Sequence, residues 1–195
     1  MEHLTGWDYF IKLLEIASIS FGSVLLSHFL TKKKQRGKDL KEDFERKSKI
    51  LPILDQLKGE LDADRVFELA FSNGDTTLGG HHLKKVSMLL ESNKSGRNDI
   101  ASQFQFVPTK IFERNLAALY ESPDEYIVSY EFDKHDELAA LYAQYDIKTL
   151  ILVKVKGQLN NWVGVLAIAF ENQRLVTEGE LAFCKMQSAK LGIIK

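Results

Sequence analysis

From Ile147 onward the apolar positions recur with period two. Ile147, Ile151, Val153 and Val155 fall on one face, and Leu150 and Leu152 fall on the other. Apolar residues on both faces predict an inner strand. Gly157-Gln158-Leu159-Asn160-Asn161 breaks the run with turn-forming residues. Beyond it, Trp162, Gly164, Leu166, Ile168 and Phe170 alternate with Val163, Val165, Ala167 and Ala169, which predicts a second strand paired antiparallel to the first. That alternation places Trp162, Leu166 and Ile168 together on the main core face. Thr177-Glu178-Gly179-Glu180 is a capping box, so a helix starts there and buries Leu181, Cys184, Ala189 and Leu191.

Upstream, the residues between 39 and 61 carry a helical stripe of Leu40, Phe44, Leu51, Leu54 and Leu61. Pro52 interrupts it, and a helix-interior proline costs about 3 kcal/mol, which predicts a kink or a fresh helix starting between Ser48 and Pro52. Val66, Glu68 and Ala70 alternate with Phe67, Leu69 and Phe71 in a strand closed by Ser72-Asn73-Gly74-Asp75. A second strand is predicted over 83–92 and a polar loop over 93–103. An aromatic-rich segment turns helical after Pro108 and ends at Ser122-Pro123-Asp124. A short strand at 126–130 and a helix over 133–145 complete the order. Helix, strand, strand, helix, strand, helix, strand, strand, helix fits an α+β class with an antiparallel sheet flanked by helices.

The 195 residues are 45% hydrophobic and 27% charged, which is the balance of a globular domain with an appendage. A net charge of −1 gives no global attraction to nucleic acid, and no nucleic-acid partner is expected. The distribution of charge matters more. Residues 9–30 are mostly apolar, and Lys32, Lys33, Lys34, Arg36 and Lys38 follow at once. Eighteen residues, 13–30, rise about 27 Å as a helix, close to the hydrocarbon thickness of a bilayer. Residues 1–12 are therefore expected outside the cell membrane, 13–30 as a single transmembrane helix, 31–49 as a basic linker and connector helix, and 50–195 as a cytoplasmic domain under the positive-inside rule. The five bases are expected to face anionic lipid headgroups, with a solvated linker as the plainer alternative and a nucleic-acid patch, which would want interleaved aromatics, as a third. Glu15, His28 and the serines within the apolar run leave two other readings open: a helix that forms an oligomer seam, or one lying in the membrane interface. The acidic start and the missing small-residue cleavage pattern argue against a signal peptide. A single cysteine, Cys184, excludes an intramolecular disulfide.

Two stretches carry a family resemblance. ILDQLKGELDADRVFELAFSNGD, with its Ala63-Asp64-Arg65 step, is similar to the opening helix and first strand of the GAF domain family. IKTLILVKVKGQLNNWVGVLAIAFENQRLVTEGELAFCKMQSAKLG resembles the family's closing part, with Gly164 after the strand start and Thr177 and Glu180 as the helix-initiating pair. The resemblance covers about residues 50–192 and implies a GAF-like fold. It also implies that residues 74–125 shape any ligand pocket, and that helices near 50–61 and 178–191 pack side by side and mediate a homodimer. A chromophore-bearing cysteine belongs elsewhere in such a fold than at Cys184.

Candidate chemistry is sparse. His81 and His82 would need His135, Asp133 or Asp136 to complete a metal site, and a polar turn explains them more simply. The acids of the 133–137 run suit a helix start. No phosphate-cradling loop or nucleophile elbow is present, so no enzyme is expected, and the cofactor is left unspecified. Phe71, Phe104, Phe106, Phe112, Tyr142 and Trp162 are the candidate lining of an apolar ligand pocket, with core packing as the competing role. Three functions follow from these readings. One is a membrane-anchored sensory or regulatory GAF-like module binding a small ligand or protein partner; another is a membrane-tethered assembly protein with a GAF-like interaction domain. The third is an enzyme built on His81, His82, His135 and Asp136.

Overall fold

A computed structural model describes Lys41 and residues 43–76, 82–130 and 137–194. The chain divides at 46/47 into two units. In the first, the described residues, Lys41 and 43–46, are helical. The candidate membrane segment 13–30 and the basic patch at Lys32, Lys33, Lys34, Arg36 and Lys38 lie outside the described residues. Among the described residues, no helix is long and apolar enough to cross a membrane.

The second unit is built on one antiparallel sheet of six strands. These are β1 (Arg65–Thr76), β2 (His82–Asn93), β3 (Val107–Pro108), β4 (Tyr126–Ser129), β5 (Thr149–Lys156) and β6 (Trp162–Phe170), in the order β3-β2-β1-β6-β5-β4. Its helices are α1 (47–61), α2 (Glu113–Glu121), α3 (Glu137–Gln144) and α4 (Glu178–Ile194), with 3-10 turns at Ala101–Phe104 and Thr109–Phe112. The predicted β5–β6 hairpin forms, with Ile151 opposite Ile168 and Val153 opposite Leu166. β1 runs on to Thr76, past the turn-forming residues expected to end it, because Asn73 pairs with Lys84 and Thr76 with His82.

The pleat divides the apolar residues into two cores. Val66, Ile168, Ile151 and Val128 line up across four strands on one face, where Ile50, Leu54 and Leu57 of α1 and Leu181, Cys184 and Leu191 of α4 cover them. On the other face Phe67, Ala167 and Leu152 lie in register, roofed by Phe104, Phe112, Leu119, Leu138 and Tyr142. Alanines at 167 and 169 leave room for the aromatic rings above them.

α1 and α3 end in the same way. Asp62 (φ 53°) and Asp146 (φ 55°) adopt the left-handed conformation. The amides of Ala63 and Ile147 then close back onto the carbonyls of Lys58 and Tyr142, both at 3.0 Å. α4 begins with the predicted capping box: the Glu180 carboxylate accepts from the Thr177 amide at 2.8 Å, and the Glu180 amide donates to the Thr177 hydroxyl at 3.3 Å. α4 runs antiparallel to α1, since Gln187 meets Gln56 at 3.2 Å while Arg174, just before α4, donates to the Leu61 carbonyl at 2.8 Å.

Four expectations need correction. Pro52 lies inside α1 with helical residues on both sides of it, so of the two expected solutions the fresh helix start between Ser48 and Pro52 does not occur. Ile147 precedes β5, so strand alternation does not govern it, and it joins the α2/α3 core. Ala189 is exposed, and α4 instead buries Gln187 and Ser188 beside its apolar residues. Ser188 is held there by a 2.6 Å hydrogen bond to the Lys154 carbonyl. Trp162 is on the opposite face from Leu166 and Ile168. Val155 pairs with Gly164 but Lys156 pairs with Trp162, so Val163 is one residue too many in β6, and this bulge reverses the side on which Trp162 emerges.

Candidate functional site

The candidate lining residues separate into two groups. Phe104, Phe112 and Tyr142 are buried in the core, and Phe104 sits between Phe67 (6.3 Å between centroids) and Phe112 (6.2 Å). Phe71 and Trp162 form a half-buried edge-to-face pair at 5.1 Å. Phe106, with φ 56°, is 64% exposed and belongs to neither group. Its amide is tied to the Ser87 hydroxyl at 2.9 Å.

Around Trp162 the structure forms an open groove of about 520 Å³, lined by Thr109, Lys110, Glu113, Leu116, Ala117, Tyr120, Glu121 and Trp162. The positions 113, 116, 117, 120 and 121 fall on one side of α2, as helical spacing requires. Trp162 comes from the start of β6, and its indole N–H donates to the Gly164 carbonyl at 2.6 Å, which fixes the ring. Tyr120 stacks on it with centroids 6.3 Å apart and planes at 26°. The C-terminal end of α2 is held by Lys154, whose ammonium donates to the carbonyls of Tyr120 (3.0 Å) and Ser122 (3.3 Å) and lies 5.9 Å from the Tyr120 ring. The sequence pattern predicts a helix after Pro108, but of the groove's lining residues it singles out only Trp162 and not Thr109, Lys110, Glu113, Leu116, Ala117, Tyr120 or Glu121. Their shared helical face was the available signal; the bulge that brings Trp162 alongside was not legible.

The opposite end of the sheet is closed by an ion network. Asp64, in the Ala-Asp-Arg step, accepts from the Glu171 amide at 2.9 Å and lies 3.6 Å from Lys94 and 3.9 Å from Arg97. The hydrogen bond from Lys94, 2.8 Å away, holds the Asp62 carboxyl below its usual range and raises Lys94 in turn. Nearby, Asp55, Lys58 and Ser92 pin α1 to β2, and the Ser92 hydroxyl lowers the Asp55 carboxyl. These groups clamp α1 and the start of β1 to the neighbouring strands.

Cys184 is fully buried in the α1/α4 core. Desolvation, assisted by Glu180, pushes its thiol up to about 12, so it is no nucleophile. His81, Asp133, His135 and Asp136 lie outside the described residues, as does the side chain of His82. Among the described residues no cluster of metal-ligating side chains occurs.

No family model matches this sequence, and no curated protein sequence does. Solved structures do match. The cyanobacteriochrome receptor PixJ superposes with a TM-score of 0.59 at 13% identity, covering 77% of this chain and 95% of that one. GAF3 from Slr1393 of Synechocystis sp. PCC6803 gives 0.58 at 13% identity, covering 76% and 91%. The phycocyanobilin-bound GAF domain from a cyanobacterial phytochrome gives 0.51 at 14% identity, covering 75% and 91%. The fold is that of a GAF domain. At such identities the likeness establishes the fold alone.

Proposed function

We propose that the chain is a non-catalytic sensory or regulatory GAF-fold module, tethered to the cell membrane through residues 13–30 with residues 50–195 in the cytoplasm. The observation that carries the ligand-binding part is the groove between α2 and Trp162, on the sheet face opposite the α1/α4 layer. That layer supplies the output. Leu51, Met186 and Ile193, on α1 and α4, remain 40%, 48% and 70% exposed, an apolar surface suited to a second copy. A ligand or partner that binds one arrangement of the layer more tightly would shift the equilibrium between arrangements. The lysine- and arginine-rich run from Lys32 to Lys38 supports contact with anionic headgroups.

The proposal does not extend to a thioether-linked bilin. The sole cysteine is buried on the sheet-facing side of α4, on the opposite face of the sheet from the groove. Packing of Phe104, Phe112 and Tyr142 into the core favours a second reading, a membrane-tethered assembly protein whose GAF-like domain binds another protein.

Native mass spectrometry of the full chain released from detergent tests both. A co-purifying small molecule, or a dimer that dissociates when Met186 and Ile193 become polar, supports the sensory module. A ligand-free monomer overturns it. Recovery of the full chain in the soluble fraction without detergent removes the tether.

A further inference from the structure

Glu113 and Glu121 stand eight residues apart on the wall of the groove, which is about 12 Å along a helix. Neither carboxylate is held in an ion pair among the described residues, whereas Glu125 and Glu180 are engaged by Lys156 and Arg174. Between the two acids the lining turns apolar and aromatic, with Leu116, Ala117 and Tyr120 facing Trp162. Carboxylates at both ends and a methylene-compatible middle make an elongated site rather than a spherical one. The aromatic pair adds affinity for a cation, since ring faces attract ammonium groups within about 6 Å. Lys154 already rests at that distance from Tyr120.

We propose that this groove binds an extended aliphatic polyamine, its terminal ammonium groups at Glu113 and Glu121 and its methylene chain over Leu116, Ala117 and Trp162. This rests on the ligand-binding reading and names the ligand class. Lys110 and Lys154 lie near the two ends and oppose the ligand's charge, so binding is weak, on the order of micromolar to millimolar, and is screened by salt.

Isothermal titration of the full chain in detergent at low ionic strength tests it with three probes. Spermidine and 1,8-diaminooctane have the same span between terminal nitrogens and should bind alike. Putrescine, too short to bridge the two acids, should bind at least about tenfold more weakly. Glu113→Gln and Glu121→Gln should each weaken spermidine by about two- to fivefold, as expected of exposed ion pairs. Both positions are exposed, so the unfolding midpoints should not move. Equal affinity for putrescine and spermidine, or no change in either variant, overturns the proposal. A different small molecule on the purified chain, with no spermidine isotherm, overturns the polyamine and leaves the sensory module standing.

Discussion

Gly192 is where α4 comes closest to the sheet. A Cβ built there would lie 1.8 Å from the Lys156 carbonyl oxygen and 2.8 Å from its carbon. Both are backbone atoms that no rotamer change can move. Restoring ordinary contact in Gly192→Ala requires α4 to retreat by more than an ångström. That would stretch the 2.6 Å bond from Ser188 to the Lys154 carbonyl and loosen Leu191 and Cys184 above the sheet. Overpacking costs about 1–3 kcal/mol, and a lost hydrogen bond about 1 kcal/mol. Replacing a helical glycine returns about 1 kcal/mol of propensity. The net loss should be about 1–3 kcal/mol, towards the upper end because the obstacle is backbone. Gly179, in the first turn of the same helix, has nothing within 4 Å of its added Cβ. Gly179→Ala should therefore gain up to about 1 kcal/mol. Equilibrium urea unfolding of the two variants reads the difference, which at a slope of about 2 kcal/mol/M should separate the midpoints by about 1–2 M. Coincident midpoints would refute the close approach of α4 to β5.

Two further outcomes follow from packing and charge. Leu166 is fully buried between β1 and β5, so Leu166→Ala should cost about 2–5 kcal/mol, whereas Leu175→Ala, at a residue 85% exposed, should stay within about 0.5 kcal/mol; equal unfolding midpoints would show the register to be wrong. Burial alone would raise the Glu180 carboxyl, but hydrogen bonds from Thr177 and the charge of Arg174 outweigh it and hold it below its ordinary 4.5. Its stabilising contribution is therefore fully present above about 4.5 and is lost as pH falls through the lower folded value. Glu180→Gln should be less stable than the parent at neutral pH, and the gap should close in acid; a gap that is constant with pH would exclude the carboxylate as its source.

Elements whose determinants are local were legible in the sequence. The β5–β6 hairpin follows from two apolar runs separated by the turn-forming residues 157–161, and the start of α4 from four consecutive residues, Thr177 to Glu180. The errors arose where distant chain segments decide. Whether Ala189 or Ser188 faces inward on α4 depends on the Lys154 carbonyl beneath it. The face of Trp162 depends on a single inserted residue, Val163, which hydrophobicity cannot reveal because valine suits either side of a strand. The groove was illegible for a related reason. Glu113, Tyr120 and Glu121 read as the solvent side of an amphipathic helix, and only Trp162, from a strand far along the chain, makes that side the wall of a site.

β1 lies between β2, the next strand in sequence, and β6, the last. On the ribosome, β1 and β2 can pair as soon as Asn93 has emerged, but the other edge of β1 waits for Trp162–Phe170. At about 5–20 residues per second, that edge is left without its partner for on the order of ten seconds. Ile50, Leu54 and Leu57 of α1 wait longer still for α4 to complete their layer. An open strand edge beside an uncovered apolar helix is a template for pairing between nascent chains. Neighbouring chains on one polysome are therefore exposed to mispairing during this interval, and delivery to a membrane would hold them close together throughout it.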